Sequence, residues 1–130
     1  MKNLTFCVAI VAVLACGPAA FAQAPEPLKR TVFQKIDYPG ARFATLLISI
    51  EGAPNFVVVK NTHPGLEMGM ILEGAVEFTI GDQPPKTFKT GETFMVPAYM
   101  EHTVKFGPNG AKAIVTFVVE KDKLLTTAVP

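Results

Sequence analysis

Residues 61–74 read Asn61-Thr62-His63-Pro64-Gly65-Leu66-Glu67-Met68-Gly69-Met70-Ile71-Leu72-Glu73-Gly74. Residues two apart on a strand point to the same face, so Asn61 and His63 face together. Pro64-Gly65 is a turn dipeptide and predicts a reversal of the chain. Glu67 then opens the next strand and returns to the same interior side. A hairpin of this kind brings an amide oxygen, an imidazole and a carboxylate within a few ångströms of one another. Met68 and Met70 alternate with Glu67 and so face away. The chain has one further histidine, His102, which follows Pro97 at the start of a later strand.

The flanking sequence has the same texture. Glycine or proline interrupts it at Pro39-Gly40, Gly52 to Pro54, Gly74, Gly81 to Pro85, Gly91, Pro97 and Gly107 to Gly110. Between these lie short runs rich in Val, Ile, Phe and Thr: residues 31–36, 42–51, 56–60, 67–73, 75–80, 93–96, 103–106 and 111–120. Turn signals roughly every 8–12 residues between such runs predict an all-β sandwich or barrel. No segment holds a helical apolar period, and there is no internal repeat or low-complexity block. Phe33, Phe43, Phe56, Phe78, Phe88, Phe94, Phe106 and Phe117 are expected mostly in the core.

The chain has 130 residues, which suits one domain. Its formal net charge of +1 and the lack of any basic run exclude a nucleic-acid binder held by phosphate contacts. Met1-Lys2-Asn3 precedes an apolar stretch from Leu4 to Ala15, and Ala20-Phe21-Ala22 has the form of a signal-peptidase site. The apolar stretch is too short to span a membrane. Residues 1–22 are therefore expected to be a removable signal peptide, and the protein to be periplasmic or secreted. Removing Lys2 leaves the remainder formally neutral. Val13-Leu14-Ala15-Cys16 resembles a lipoprotein signal, a second route that would leave a lipid anchor on Cys16. Both cysteines, Cys7 and Cys16, fall in the leader, which excludes a disulfide scaffold or a cysteine-based site in the exported domain. The expected division is a leader over 1–22, an arm and first strand over 23–37, the barrel over 38–120 and a tail over 121–130. In the tail, Leu124, Leu125 and Val129 either pack on the barrel or a partner, or fray.

His63-x3-Glu67-x6-Gly74 resembles the first signature of the cupin superfamily, and Gly91-x5-Pro97-x4-His102 resembles the second. The resemblance covers roughly residues 42–120. It implies a single antiparallel jelly-roll barrel holding one divalent metal. The chain departs from the pattern at four positions. Asn61 stands where the family has its first histidine. Asn55 and Tyr99 stand where it has glycines, and Phe106 where it has a closing asparagine. Carried over residue by residue, the implied ligands are His63, Glu67 and His102, with Asn61 a fourth, oxygen ligand. Two histidines and a carboxylate form a facial triad that suits Fe(II), and manganese, zinc or nickel also fit the donors. Asn61 has a second reading, as a polar residue bonded to backbone. Tyr99 is the candidate catalytic residue, its hydroxyl offered to substrate at the pocket mouth, or else an exposed loop tyrosine. Met68, Met70, Met95 and Met100 suggest copper(I) by chemistry, but flexible packing suits them better.

The resemblance implies a metal-dependent dioxygenase, isomerase or lyase acting on a small oxygenated organic molecule. The alternative is a non-catalytic barrel that captures a small ligand or a metal. Pairing of two copies through edge strands is also what the resemblance implies, with residues 31–36 the candidate edge.

Overall fold

The computed structural model describes residues 26–130, so the leader, its cleavage site and Cys16 lie outside the described residues. Eight strands follow one another: β1 Leu28–Asp37, β2 Phe43–Gly52, β3 Val57–Thr62, β4 Gly65–Ile80, β5 Lys86–Lys89, β6 Thr93–Val96, β7 His102–Glu120 and β8 Thr127–Ala128. All pairings are antiparallel. No helix occurs among the described residues. The all-β class expected from the turn spacing, and the jelly roll that the resemblance implied, are the architecture present.

Two long strands, β4 and β7, build both walls. The first half of β4 pairs with the second half of β7, in register Gly65 to Val119 through Gly74 to Ala111. β6 flanks this pair on one side, and β2 then β1 on the other. The second half of β4 pairs with the first half of β7, Val76 to Phe106 through Ile80 to His102. β5 flanks that pair on the β4 side, and β3 then β8 on the β7 side. The sequence reading broke each long strand in two at its glycines. The chain instead bends there without leaving the sheet. Gly74 has φ of 76° and sits against the Gly110 carbonyl, where any Cβ would collide. The register shifts beside it, between Ile71 and Glu73 and between Gly74 and Val76, carry the bend from one wall to the other.

The core lies between the walls. It comprises Ile48, Ile71, Val76, Phe78, Phe88, Phe94, Val96, Phe106, Ala113, Val115, Phe117 and Val119. These are the inward positions of a period-two pattern, as in Ala113, Val115, Phe117 and Val119 of β7. Phe33 and Phe43, expected in the core, are exposed. Phe33 falls at a bulge in the edge strand β1, and Phe43 is the first residue of β2.

The Pro64-Gly65 reversal is not a hairpin. β3 pairs with β7 and β8, and β4 with β5, β6 and β7, so β3 and β4 are not neighbours. The chain crosses at His63-Pro64 from one wall to the other. The correction has a steric counterpart, since Gly65 lies against the Val118 carbonyl of β7, leaving no room for a side chain. The tail resolves residue by residue. Leu125 packs against the core, while Leu124 is exposed.

Candidate metal centre

Three places in the chain aim side chains at one interior point. β3 ends beside the crossing that carries His63. Glu67 is the third residue of β4, opposite Phe117 of β7 and Val96 of β6, both core residues. His102 opens β7, between Asn61 of β3 and Ile80 of β4. Pairing Asn61 with His102 sets the two ends of the motif side by side, although 41 residues separate them in the chain.

His63 Nε2 lies 3.2 Å from Glu67 Oε2, and His102 Nε2 lies 3.5 Å from the same oxygen. The two imidazole centroids are 5.0 Å apart. His63 is 7% exposed, Glu67 5% and His102 3%. A donor atom from each lies within 4.8 Å of the others. Phe117 meets the His63 ring edge-on at 4.9 Å, and Phe78 stacks on His102.

The far ring nitrogens decide the tautomers. His63 Nδ1 donates to the Leu125 carbonyl at 2.6 Å, and His102 Nδ1 donates to the Met100 carbonyl at 3.0 Å. Carbonyl oxygens only accept, so each Nδ1 carries a hydrogen. In the neutral ring Nε2 is then a bare lone pair. Burial pushes the His102 pKa below its ordinary value, against the opposing pull of the Met100 carbonyl and Glu67. Glu67 Oε2 is buried and has no hydrogen-bond partner. Two lone pairs and a carboxylate oxygen therefore meet with no donor between them. Such a set suits a cation, since two imidazoles and a carboxylate are ordinary ligands for a divalent transition metal. The residues present fit the group that the resemblance implied.

Asn61 is 3% exposed beside this point. Its Nδ2 donates to the Val59 carbonyl at 3.0 Å and to the His102 carbonyl at 3.4 Å. The amide nitrogen thus ties β3 to the strand carrying His102, and the amide oxygen is the end left for a ligand. Tyr99 is not brought to the cavity beside the three ligands. It is 52% exposed, and its hydroxyl donates to Glu120 Oε1 and accepts from Lys123 Nζ. Arg42 holds the other Glu120 oxygen at 2.7 Å. Tyr99 instead acts through its backbone, where its N–H donates to the His63 carbonyl at 2.9 Å. Met68, Met70 and Met95 are exposed on the outer side of the β4–β6 pair, away from the histidines.

The two family glycine positions that this chain replaces are its two non-glycine residues with positive φ among the described residues, Asn55 at 59° and Tyr99 at 61°. Asparagine adopts this region readily, whereas tyrosine does so at a cost of about 1 kcal/mol or more. The bonds to His63, Glu120 and Lys123 offset it.

The carbonyls of Leu125 and Met100 escaped the sequence reading, because a backbone acceptor leaves no mark on residue type. Arg30, which lines the cavity, was also missed. Its signal was the alternation of Leu28 and Arg30 at the start of β1.

The profile of the family described as "Cupin domain" matches residues 51–119. No curated protein matches the chain. Among solved structures, the chain is similar to an oxalate oxidase in complex with the substrate analogue glycolate, with 22% identity and TM-score 0.58 over 66% of this chain and 46% of that one. It is similar to the DMSP lyase DddQ from Ruegeria pomeroyi DSS-3, with 17% identity and TM-score 0.65 over 79% of this chain and 52% of that one. It is also similar to KdgF from Halomonas sp., with 14% identity and TM-score 0.61 over 78% of this chain and 86% of that one. The chain thus spans about half the length of the first two and most of the third. With its two motifs converging inside a jelly roll and the family profile covering more than half of its length, the chain belongs to the cupin family.

Proposed function

We propose that the protein is an exported metal-dependent enzyme acting on a small oxygenated organic molecule, with His63, Glu67 and His102 as the metal ligands. The carrying observation is the buried, unpartnered Glu67 oxygen facing two imidazole lone pairs. A divalent cation held by His63, Glu67 and His102 would supply Lewis acidity. The chain's own residues do the rest. The Leu125 and Met100 carbonyls hold both rings in the ligating tautomer. Apolar walls of Ile50, Val58, Phe78 and Phe106 exclude bulk water and strengthen every charge interaction inside. Asn61 offers an oxygen to the ion or to the substrate. Oxygenation, isomerisation and lyase chemistry all begin from such a site, and the donor set suits Fe(II), with manganese, zinc or nickel also fitting it.

Two further parts of the reading rest on sequence and topology. The charged, apolar and small-residue order of the first 22 residues supports export. β1 is the edge strand of its sheet and exposes Val32 and Ile36, which supports pairing of two copies there.

The test is elemental analysis of protein isolated from its natural compartment, followed by turnover assays on a panel of enediols, phenols and hydroxy acids. About one transition metal per chain with turnover supports the enzyme. Bound metal without turnover on any member would replace it with a binding protein. His63→Ala and His102→Ala are each expected to abolish metal binding while the barrel stays folded.

A further inference from the structure

Met68, Met70 and Met95, which the sequence suited to flexible packing, are not in the core. They are 39%, 41% and 59% exposed. Glu67, Ile71, Phe94 and Val96 beside them in β4 and β6 are buried, so strand alternation sends all three thioethers to the outer side. Met68 lies directly opposite Met95 in the β4–β6 register, and Met70 lies opposite Thr93. Opposed residues of an antiparallel pair hold their Cβ atoms about 5 Å apart, and a diagonal pair such as Met70 and Met95 about 7 Å. Met68 and Met70, two apart on one strand, are also separated by about 7 Å. Each side chain has three rotatable bonds, enough to close a triangle of this size onto one point. All three line one open hollow on the wall, with Leu47, Phe94 and Ile114 around them. Among the described residues the hollow is lined by no charged side chain and no imidazole, and its polar side chains are Thr93 and Thr116.

We propose that Met68, Met70 and Met95 form a second metal site, on the outer wall, that takes Cu(I) through three thioether sulfurs. It is separate from His63, Glu67 and His102 and does not rest on the reading of those residues. Thioethers are soft, uncharged donors, and Cu(I) is the ion that such ligands select. Cu(II) prefers nitrogen and oxygen, and hard dications prefer carboxylates, neither of which this hollow offers from a nitrogen or acidic side chain. The exposure of all three side chains leaves the ion open to exchange, which fits capture and release rather than a buried catalytic centre.

The experiment first fills the interior site with Zn(II), then titrates the protein with Cu(I) without oxygen, against a chromophoric Cu(I) chelator. Zinc is measured before and after. The expected result is about one Cu(I) per chain, zinc retained, and sulfur as the copper ligand in X-ray absorption. Met68→Leu, Met70→Leu and Met95→Leu keep the surface apolar and remove one sulfur each. Each is expected to lower Cu(I) affinity at least about tenfold, and the triple variant to abolish uptake, with zinc content and the far-UV spectrum unchanged. Met100→Leu is expected to change nothing, since that sulfur lies beside Gly81 in a different hollow. No Cu(I) uptake by the wild type, copper bound through nitrogen with loss of zinc, or undiminished uptake by the triple variant would overturn the proposal. Failure to take up zinc removes the interior metal reading alone, and the same Cu(I) titration on the unloaded protein then decides this one.

Discussion

Glu67 shows how much rests on one side chain. A buried carboxylate without a donor costs several kcal/mol unless a cation offsets it. Glu67→Gln keeps the shape and removes the charge. Its expected outcome is metal affinity lower by at least about a hundredfold, with metal-free stability equal to or above that of the wild type. Elemental analysis and thermal unfolding in chelator measure the two halves. A lowered metal-free melting temperature would count against the assignment. Tyr99 makes the opposite case, a residue whose hydroxyl bonds Glu120 and Lys123 and does not line the cavity. Tyr99→Phe keeps the positive φ and loses the bond to Glu120, so it is expected to cost about 1 kcal/mol and to leave metal content unchanged. Its partner sets a pH dependence. The Tyr99 hydroxyl and then Arg42 hold the Glu120 carboxyl down from 4.5 to about 2. A depressed carboxyl stabilises the fold above its ordinary range, and that contribution is lost as pH falls from about 4.5 towards about 2. Glu120→Gln is therefore expected to flatten the acid limb of a melting-temperature profile, most visibly below pH 4.5.

At the scale of elements, the tail and the β3–β4 crossing act together. Lys123 reaches Tyr99 and Glu120, the Leu125 carbonyl receives His63 Nδ1, and β8 pairs with Asn61 and Thr62. The last residues of the chain thus orient a ligand near its middle. Deleting residues 124–130 is expected to weaken metal binding about 10–100-fold, the usual consequence of losing the group that orients a ligating histidine. The far-UV spectrum should still report the barrel, because β8 adds only two residues to its wall. Unchanged affinity in the truncated chain would remove the tail from the site. The two strands absent from the sequence reading were β5 and β8. β5 reads Lys86-Thr87-Phe88-Lys89, with a single apolar residue to mark it, and β8 has none larger than alanine. Their pairing comes from neighbours rather than from their own pattern. The strands with continuous alternation, such as Ala111 to Val119, were readable because burial of every second residue leaves a direct trace.

On the scale of the molecule, two walls close around a mostly apolar interior with one polar cluster at its end. The walls are continuous because β4 and β7 each serve both. The outermost position of β1 leaves one strand edge unpaired, next to Val32 at 55% and Ile36 at 47% exposure. Sedimentation equilibrium is expected to show a dimer for the wild type and a monomer for the double variant Val32→Lys/Ile36→Lys, since charge on an edge opposes strand pairing. A monomeric wild type across the accessible concentration range would dismiss pairing through this edge.

Residue types and their spacing determined the all-β class and the inward alternation of the core, and the resemblance of two motifs to the cupin signatures implied the three side chains suited to a cation. Each is local, or repeats along the chain, so each is written in the order of residues. Tertiary structure decided the rest. It turned an apparent hairpin at Pro64-Gly65 into a crossing between walls. It sent the Tyr99 hydroxyl to Glu120, and it drew the Leu125 and Met100 carbonyls onto the two imidazoles. Those outcomes depend on which segments become neighbours after the chain closes. Backbone acceptors carry no signature of residue type, so only the closed barrel reveals which of them hold the histidines.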